Sequence, residues 1–250
     1  MSLLAVDGLS KRFGGVEAVR DVGFALAAGE RAALIGPNGA GKTTCFNLLT
    51  GYLRPDRGRI ALDGGSILGE PPRAIWRRGV GRTFQITATF LSMTVRENAQ
   101  LAALSHREQS FDLWRPMAQL CVAEADALLE RVGLADSGDK VCSTLPYGDL
   151  KRLELALALA HRPRLLLMDE PTAGMSPSER AALMGLIDTI ADEDGVGVLF
   201  TEHDMDVVFG HADRILVLDR GALIADDAPG AVRANDDVRR IYLGETLDPA

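Results

Sequence analysis

One octapeptide constrains this chain more than any other stretch: Gly36-Pro37-Asn38-Gly39-Ala40-Gly41-Lys42-Thr43. It fits the pattern G-x-x-x-x-G-K-[ST], which joins a strand to a helix around phosphate oxygens. The flanks agree. Ala32-Ala33-Leu34-Ile35 predicts a buried strand, residues 42–50 predict a helix, and Gly51 is placed to end it. Glycines let the backbone curl without a Cβ in the way. Successive N–H groups then point inward at the positive end of the helix, where an anion is favoured. Lys42 would reach the β- and γ-phosphates of a nucleoside triphosphate, and the Thr43 hydroxyl would ligate Mg²⁺.

Bulk properties narrow the setting. With 250 residues, 47% of them hydrophobic, the chain can bury a sizeable core. A net charge of −8 argues against a nucleic-acid partner. Cys45, Cys121 and Cys142 show no C-x-x-C spacing, which fits a reducing compartment. Cys45 lies just past the loop and is expected to pack inside the helix. No signal peptide is expected, because Asp7 interrupts the start at once. No membrane span is expected either: the apolar runs at 153–160 and 165–168 fall far short of the roughly 20 residues needed. A membrane role would therefore need a second chain.

Read in order, residues 3–13 and 16–26 predict two strands, and 59–64 a strand entering a hairpin. Pro71-Pro72 opens a helix over 73–78, and 79–84 is extended up to Gln85. From Thr87 the character turns helical. Helices are expected over 94–104 and 119–132, with a polar loop at 105–116 containing Trp114 and Pro116, and a third helix over 150–161. Leu165-Leu166-Leu167-Met168 predicts a strand that delivers Asp169-Glu170 at its carboxyl end, where α/β sheets place ligands. Ser176-Pro177-Ser178-Glu179 is a capping box opening a helix to about residue 191. A strand over 196–201 leads to Glu202-His203, then come a short helix over 205–210, a hairpin around Asp219-Arg220-Gly221 and two short helices in the tail. Asp169 is suited to holding Mg²⁺ through water, and Glu170 to polarising an attacking water as general base.

From Phe13 to Leu243 the chain resembles the ATPase subunit of an ABC transporter. The resemblance implies an α/β fold: a RecA-like P-loop NTPase core with an antiparallel β subdomain, about 1–85 and 162–250, and an inserted α-helical subdomain, about 86–161, all in a single domain. It implies ATP and Mg²⁺ as ligands, with nucleotide contacts running from Gly36 through Thr43 to Thr44. Phe13 matches the aromatic residue that stacks on adenine. Gln85 matches the glutamine that senses the γ-phosphate and Mg²⁺ and faces the transport subunit, and His203 matches the switch histidine. Ala173-Gly174-Met175-Ser176 occupies the loop that crosses the dimer interface.

Leu145-Pro146-Tyr147-Gly148-Asp149 stands where the family has LSGGQ, the signature that faces the nucleotide of a partner subunit. Pro146 replaces the serine whose hydroxyl would donate to that phosphate. Asp149 replaces glutamine and sets a negative charge, suited to capping the helix, near a negative ligand. The arrangement implies a head-to-tail pair of ATPase subunits, identical or related, with permease subunits and, indirectly, a periplasmic binding protein, at the cytoplasmic face of the inner membrane. Gly81-Arg82-Thr83-Phe84-Gln85, Thr201-Glu202-His203-Asp204, Tyr147 and Tyr242-Leu243-Gly244-Glu245 resemble the branched-chain (hydrophobic) amino-acid and amide uptake branch. The alternatives are a lipopolysaccharide-extraction ATPase, which would carry a closer match to LSGGQ, and a soluble family member in iron–sulfur cluster assembly.

Overall fold

The computed structural model describes residues 2–83, 89–106 and 120–243. Its strands are β1 (Ser2–Phe13), β2 (Val16–Ala27), β3 (Arg31–Ile35), β4 (Arg57–Leu62), β5 (Gly65–Ser66), β6 (Val80–Thr83), β7 (Leu165–Asp169), β8 (Gly197–Thr201), β9 (Arg214–Asp219) and β10 (Ala222–Asp227). They form two sheets. One is antiparallel, in the order β2-β1-β4-β5; the other has the order β10-β9-β3-β8-β7-β6, with β10 antiparallel on β9 and its other neighbours parallel.

The alternation of side chains along a strand explains how one sheet serves two cores. Ala33, Ile35, Leu166, Met168, Val198 and Phe200 face one core, whereas Ala32, Leu34, Leu165, Leu167 and Leu199 face the other. The second core also holds Phe46 from helix α1 (Lys42–Leu49) and the inner face of the antiparallel sheet, with Leu4, Leu9 and Leu26. Strands β7 and β8 are buried along their whole length, as strands covered on both faces must be.

Helix α2 (Pro72–Arg77) precedes β6, with proline at its start as expected. Between β6 and β7 come α3 (Val95–His106), α4 (Val122–Arg131) and α5 (Tyr147–Leu159). Val95, Ala99, Ala125, Leu129 and Leu153 join them to the first core. Of the loop expected at 105–116, Ser105 and His106 instead complete α3; the rest, with Trp114 and Pro116, lies outside the described residues. Helix α4 opens at Val122 rather than 119, after Cys121 in a left-handed conformation (φ 53°). Helix α5 opens at Tyr147, three residues before the expected start. Pro146, extended at ψ 152°, sets its first turn.

The reciprocal Ser176–Glu179 bonds of the capping box open α6 (Pro177–Asp194), which runs past residue 191 to Gly195 at φ 67°. Helix α7 (Met205–His211) leads to β9, and the β9–β10 hairpin turns at Arg220 and Gly221, both with positive φ. Helices α8 (Pro229–Ala234) and α9 (Asp236–Val238) and a π-helical turn (Arg239–Leu243) close the described chain. Among the described residues no helix is long and apolar enough to cross a membrane.

Candidate nucleotide site

The octapeptide runs from the end of β3 to the start of α1, and its shape is set by close approach. A Cβ on Gly36 would lie 2.2 Å from the Leu218 carbonyl oxygen in β9, and one on Gly41 2.3 Å from that of Ala18 in β2. Gly41 is also left-handed, at φ 109°. The Gly221 N–H donates to the Ala40 carbonyl at 2.9 Å. The loop is therefore wedged between the two sheets. Lys42 Nζ donates to the carbonyls of Gly36 at 2.6 Å and Pro37 at 3.3 Å. Burial holds the Lys42 pKa below the usual lysine range, against the opposing pull of Glu170 and Asp169. Thr43 is exposed at the helix start, Thr44 is half-buried behind it, and no acidic residue occupies the first turn of α1. That end of the helix keeps its positive character for an anion.

Strand β7 delivers the carboxylates. Asp169 is buried, accepts a hydrogen bond from Thr201 Oγ1 at 2.8 Å and lies 3.7 Å from Arg82 Nη2. Arg82 also donates to Asn47 Oδ1 at 2.8 Å and Thr50 Oγ1 at 3.1 Å, tying β6 to α1. Burial lowers the Arg82 pKa, and the charge of Asp169 works against that fall. Glu170 adopts φ 49°, a conformation that non-glycine residues avoid. Its N–H donates to both the carbonyl and the hydroxyl of Thr201, each at 3.1 Å, which holds the sharp turn out of the sheet. Its Oε1 is 3.0 Å from His203 Nε2.

Behind this pair sits Glu202, almost fully buried. It accepts from the Thr172 N–H at 2.8 Å, the Thr172 hydroxyl at 2.6 Å and the His203 N–H at 3.3 Å. One carboxylate thus pins the segments carrying Glu170 and His203 to each other. Sequence reasoning gives Arg82, Thr201 and Glu202 no place in the site. The available signal was a charged residue, Glu202, directly after five buried strand positions.

Thr43 and Asp169 supply hard oxygen donors, which suit Mg²⁺. Among the described residues no group of three or more His, Cys, Asp or Glu side chains could hold a metal alone. A sparse protein shell completed by phosphate oxygens and water is how Mg²⁺ is usually held.

Three candidates remain: Phe13, Gln85 and the signature segment. Phe13 ends β1 and is 47% exposed, with Lys11 Nζ 5.6 Å from its ring centroid. Gln85 lies outside the described residues. In the signature segment Leu145 and Gly148 are buried, Pro146 and Tyr147 exposed and Asp149 half-buried. Asp149 does not cap α5: it sits in the first turn, Pro146 holds the cap position, and no side chain caps this end. The Tyr147 ring packs over Gly174 of the 173–176 loop, where a Cβ would stand 3.4 Å from Cε1. Among the described residues no hydrogen bond or ion pair joins the signature segment to the phosphate loop.

Residues 19–173, which span the phosphate loop, the signature segment and Asp169-Glu170, match the family model described as ABC transporter. The chain belongs to the ABC transporter family. It is 42% identical to the high-affinity branched-chain amino acid transport ATP-binding protein BraF of Pseudomonas aeruginosa, over 97% of this chain and 98% of that one. It is likewise 42% identical to LivG of Escherichia coli K12, named for the same transport, with the same coverage of each chain. Among solved structures, an ATP-binding cassette of an ABC transporter in its ADP conformation superposes with a TM-score of 0.88 at 29% identity, over 98% of this chain and all of that one. The fold is that of an α/β ATP-binding cassette.

Proposed function

We propose that this cassette is the ATP-hydrolysing subunit of an importer for branched-chain or other hydrophobic amino acids or amides, held peripherally at the cytoplasmic face of the inner membrane. The observation that carries the reading is its near end-to-end similarity, at 42% identity, to subunits named for that transport. Those names favour it over lipopolysaccharide extraction and iron–sulfur assembly.

In this reading the loop amides from Gly36 to Thr44 cradle the phosphates, and Lys42 turns from its loop carbonyls to the β- and γ-phosphates. Thr43 and Asp169 would hold Mg²⁺, which when bound offsets charge on the phosphate oxygens; Gln85 belongs to the same shell. Glu170 takes the proton of the attacking water, and His203 contacts the γ-phosphate. The 3.0 Å contact between Glu170 and His203 keeps the base and the sensor in one hydrogen-bonded unit. Phe13 stacks on adenine. The signature segment, Leu145 to Asp149, serves the nucleotide of a second ATPase subunit in a head-to-tail dimer. The helices α3 to α5 form the subdomain about 86–161 that meets the permease; the coupling surface draws on Gln85 and on exposed Phe90 and Leu91 and half-buried Met93.

Reconstitution with the permease subunits and the binding protein of its transporter in liposomes tests the reading. ATP-dependent uptake of labelled leucine, lost in Lys42→Ala, is the expected result. Hydrolysis with no uptake of leucine, isoleucine, valine or an aliphatic amide would overturn it. Phe90→Asp is expected to cut co-purification with the permease while the fold stays intact.

A further inference from the structure

Strand β1 outruns its neighbour β4. Strand β4 begins at Arg57, opposite Ser10, whereas β1 continues through Lys11 and Arg12 to Phe13. Asp56, the residue before β4, bridges the difference. Its N–H donates to the Ser10 carbonyl at 2.9 Å, which fixes its backbone. Its carboxylate then takes the place of the missing strand: Oδ2 accepts the Arg12 N–H at 2.7 Å, and Oδ1 accepts from Lys11 Nζ at 2.8 Å. An exposed ion pair adds little to stability by itself. What this one does secure is where the ammonium sits. The Lys11 side chain is only 17% exposed, against 46% for Asp56.

That ammonium lies over the Phe13 ring, 5.6 Å from its centroid and within the roughly 6 Å at which a cation is drawn to a ring face. The pairing of β1 with β2 shifts register between Lys11 and Arg12, and such a bulge re-aims the side chains beside it. Phe13 itself is exposed next to the Gly14-Gly15 turn, opposite Val16. A ring at the tip of a hairpin can swing, and stacking needs one flat face held steady. A cation fixed against the ring restrains it before the base arrives, so less freedom is lost on binding. It also draws π density toward itself, which eases the approach of an electron-rich purine to the opposite face.

We propose that Lys11, held by Asp56, is a positioning residue for the nucleotide base: its ammonium orients Phe13 and strengthens the stacking of adenine on that ring. This rests on the reading of Phe13 as the adenine-stacking residue and adds the pair that prepares it. The grip on the nucleotide then divides in two. The loop from Gly36 to Thr44 holds the phosphates, and the hairpin tip holds the base. Lys11 and Asp56 serve the second share alone.

The division sets the test. The full chain is titrated calorimetrically with MgATP and, separately, with magnesium tripolyphosphate, which carries no base. Lys11→Met should lower ATP affinity roughly three- to fivefold, the order of an exposed cation–π contact. Its affinity for tripolyphosphate should stay at the wild-type value, which also reports an intact fold. Lys11→Arg should restore ATP affinity. Asp56→Asn, which can still accept the Arg12 N–H, should reproduce the loss seen in Lys11→Met. In a Phe13→Ala background, itself roughly tenfold weaker for ATP, Lys11→Met should cost nothing more. Wild-type ATP affinity in both Lys11→Met and Asp56→Asn would overturn the proposal. So would an equal loss for tripolyphosphate, or an undiminished loss from Lys11→Met in the Phe13→Ala background. Wild-type ATP affinity in Phe13→Ala would instead remove the stacking reading beneath it.

Discussion

The phosphate loop and the signature segment both sit at helix N-termini, yet they are held in opposite ways. The loop is fixed by its own subunit: Gly36 and Gly41 press on carbonyl oxygens of two different strands, and neither tolerates a Cβ. The signature is fixed loosely. Pro146 and Tyr147 are exposed, no side chain caps the helix, and the one tight contact, Gly148 against Glu179 Oε1, meets the far end of a flexible side chain. A residue whose ligand is bound by the same chain is constrained by the fold around it. In the proposed head-to-tail pair the signature's ligand arrives on another chain, so this subunit's own fold need not fix the segment. Pro146 and Asp149, the departures from the family signature, both lie in this loosely held segment.

Five experiments put this contrast to the test. The largest effect belongs to the rigid side. Glu170→Gln should lower steady-state ATPase by about 100-fold or more while ATP binding, read by equilibrium dialysis, stays within a few-fold, because a general base contributes about 10²–10⁴. Next is Gly41→Ala, which sets a methyl against the Ala18 carbonyl and should weaken ATP binding at least tenfold; calorimetric titration would reveal it. Its internal control is Gly39→Ala. A Cβ there meets nothing within 4 Å, so the change should carry only the left-handed backbone penalty, about 1–2 kcal/mol in chemical denaturation. On the loose side Gly148→Ala displaces Glu179 from its cap and should cost about 1 kcal/mol, leaving ATP affinity of the isolated chain untouched. Equal damage from Gly148→Ala and Gly41→Ala to that affinity would erase the distinction.

Asp149→Gln should raise the ATPase rate of the assembled complex roughly threefold, the order expected from removing one screened charge near the partner's phosphates. No rise in rate or affinity would show that the carboxylate points elsewhere. The smallest effect is chemical. Burial beneath the loop pushes the Cys45 thiol up to about 12, so at pH 8 it stays protonated. All three cysteines are buried. A thiol reagent should label the native chain slowly and the unfolded chain at three sites; rapid native labelling of Cys45 would mean that the loop opens readily.

Much of the fold was legible in the sequence for physical reasons. The octapeptide carries its own geometry. Strand β7 is an uninterrupted apolar run ending in two carboxylates, and the α6 cap is written in Ser176 and Glu179. The start of α5 was not legible, because Tyr147, Gly148 and Asp149 are weak helix formers and their helicity comes from Pro146 before them and the packing of Gly148 on Glu179. The polar scaffold of the site was hidden for a related reason. Arg82, Thr201 and Glu202 act by holding Asp169, Glu170 and Thr172, residues distant in the chain, and no local pattern announces a partner thirty or more positions away. The match of Phe13 to an adenine-stacking residue likewise rested on an aromatic at one position, and the structure adds that the residue is half-exposed with Lys11 over its ring.

The wedge of the loop between Leu218 and Ala18 has a consequence for how this chain can be divided. The seam that joins the parallel layer to the antiparallel one is the same stretch of backbone that seats the ligand. A fragment retaining either layer alone would forfeit its whole grip on the phosphates, so the boundary between the layers is no place at which the protein could be shortened, split or swapped with a relative.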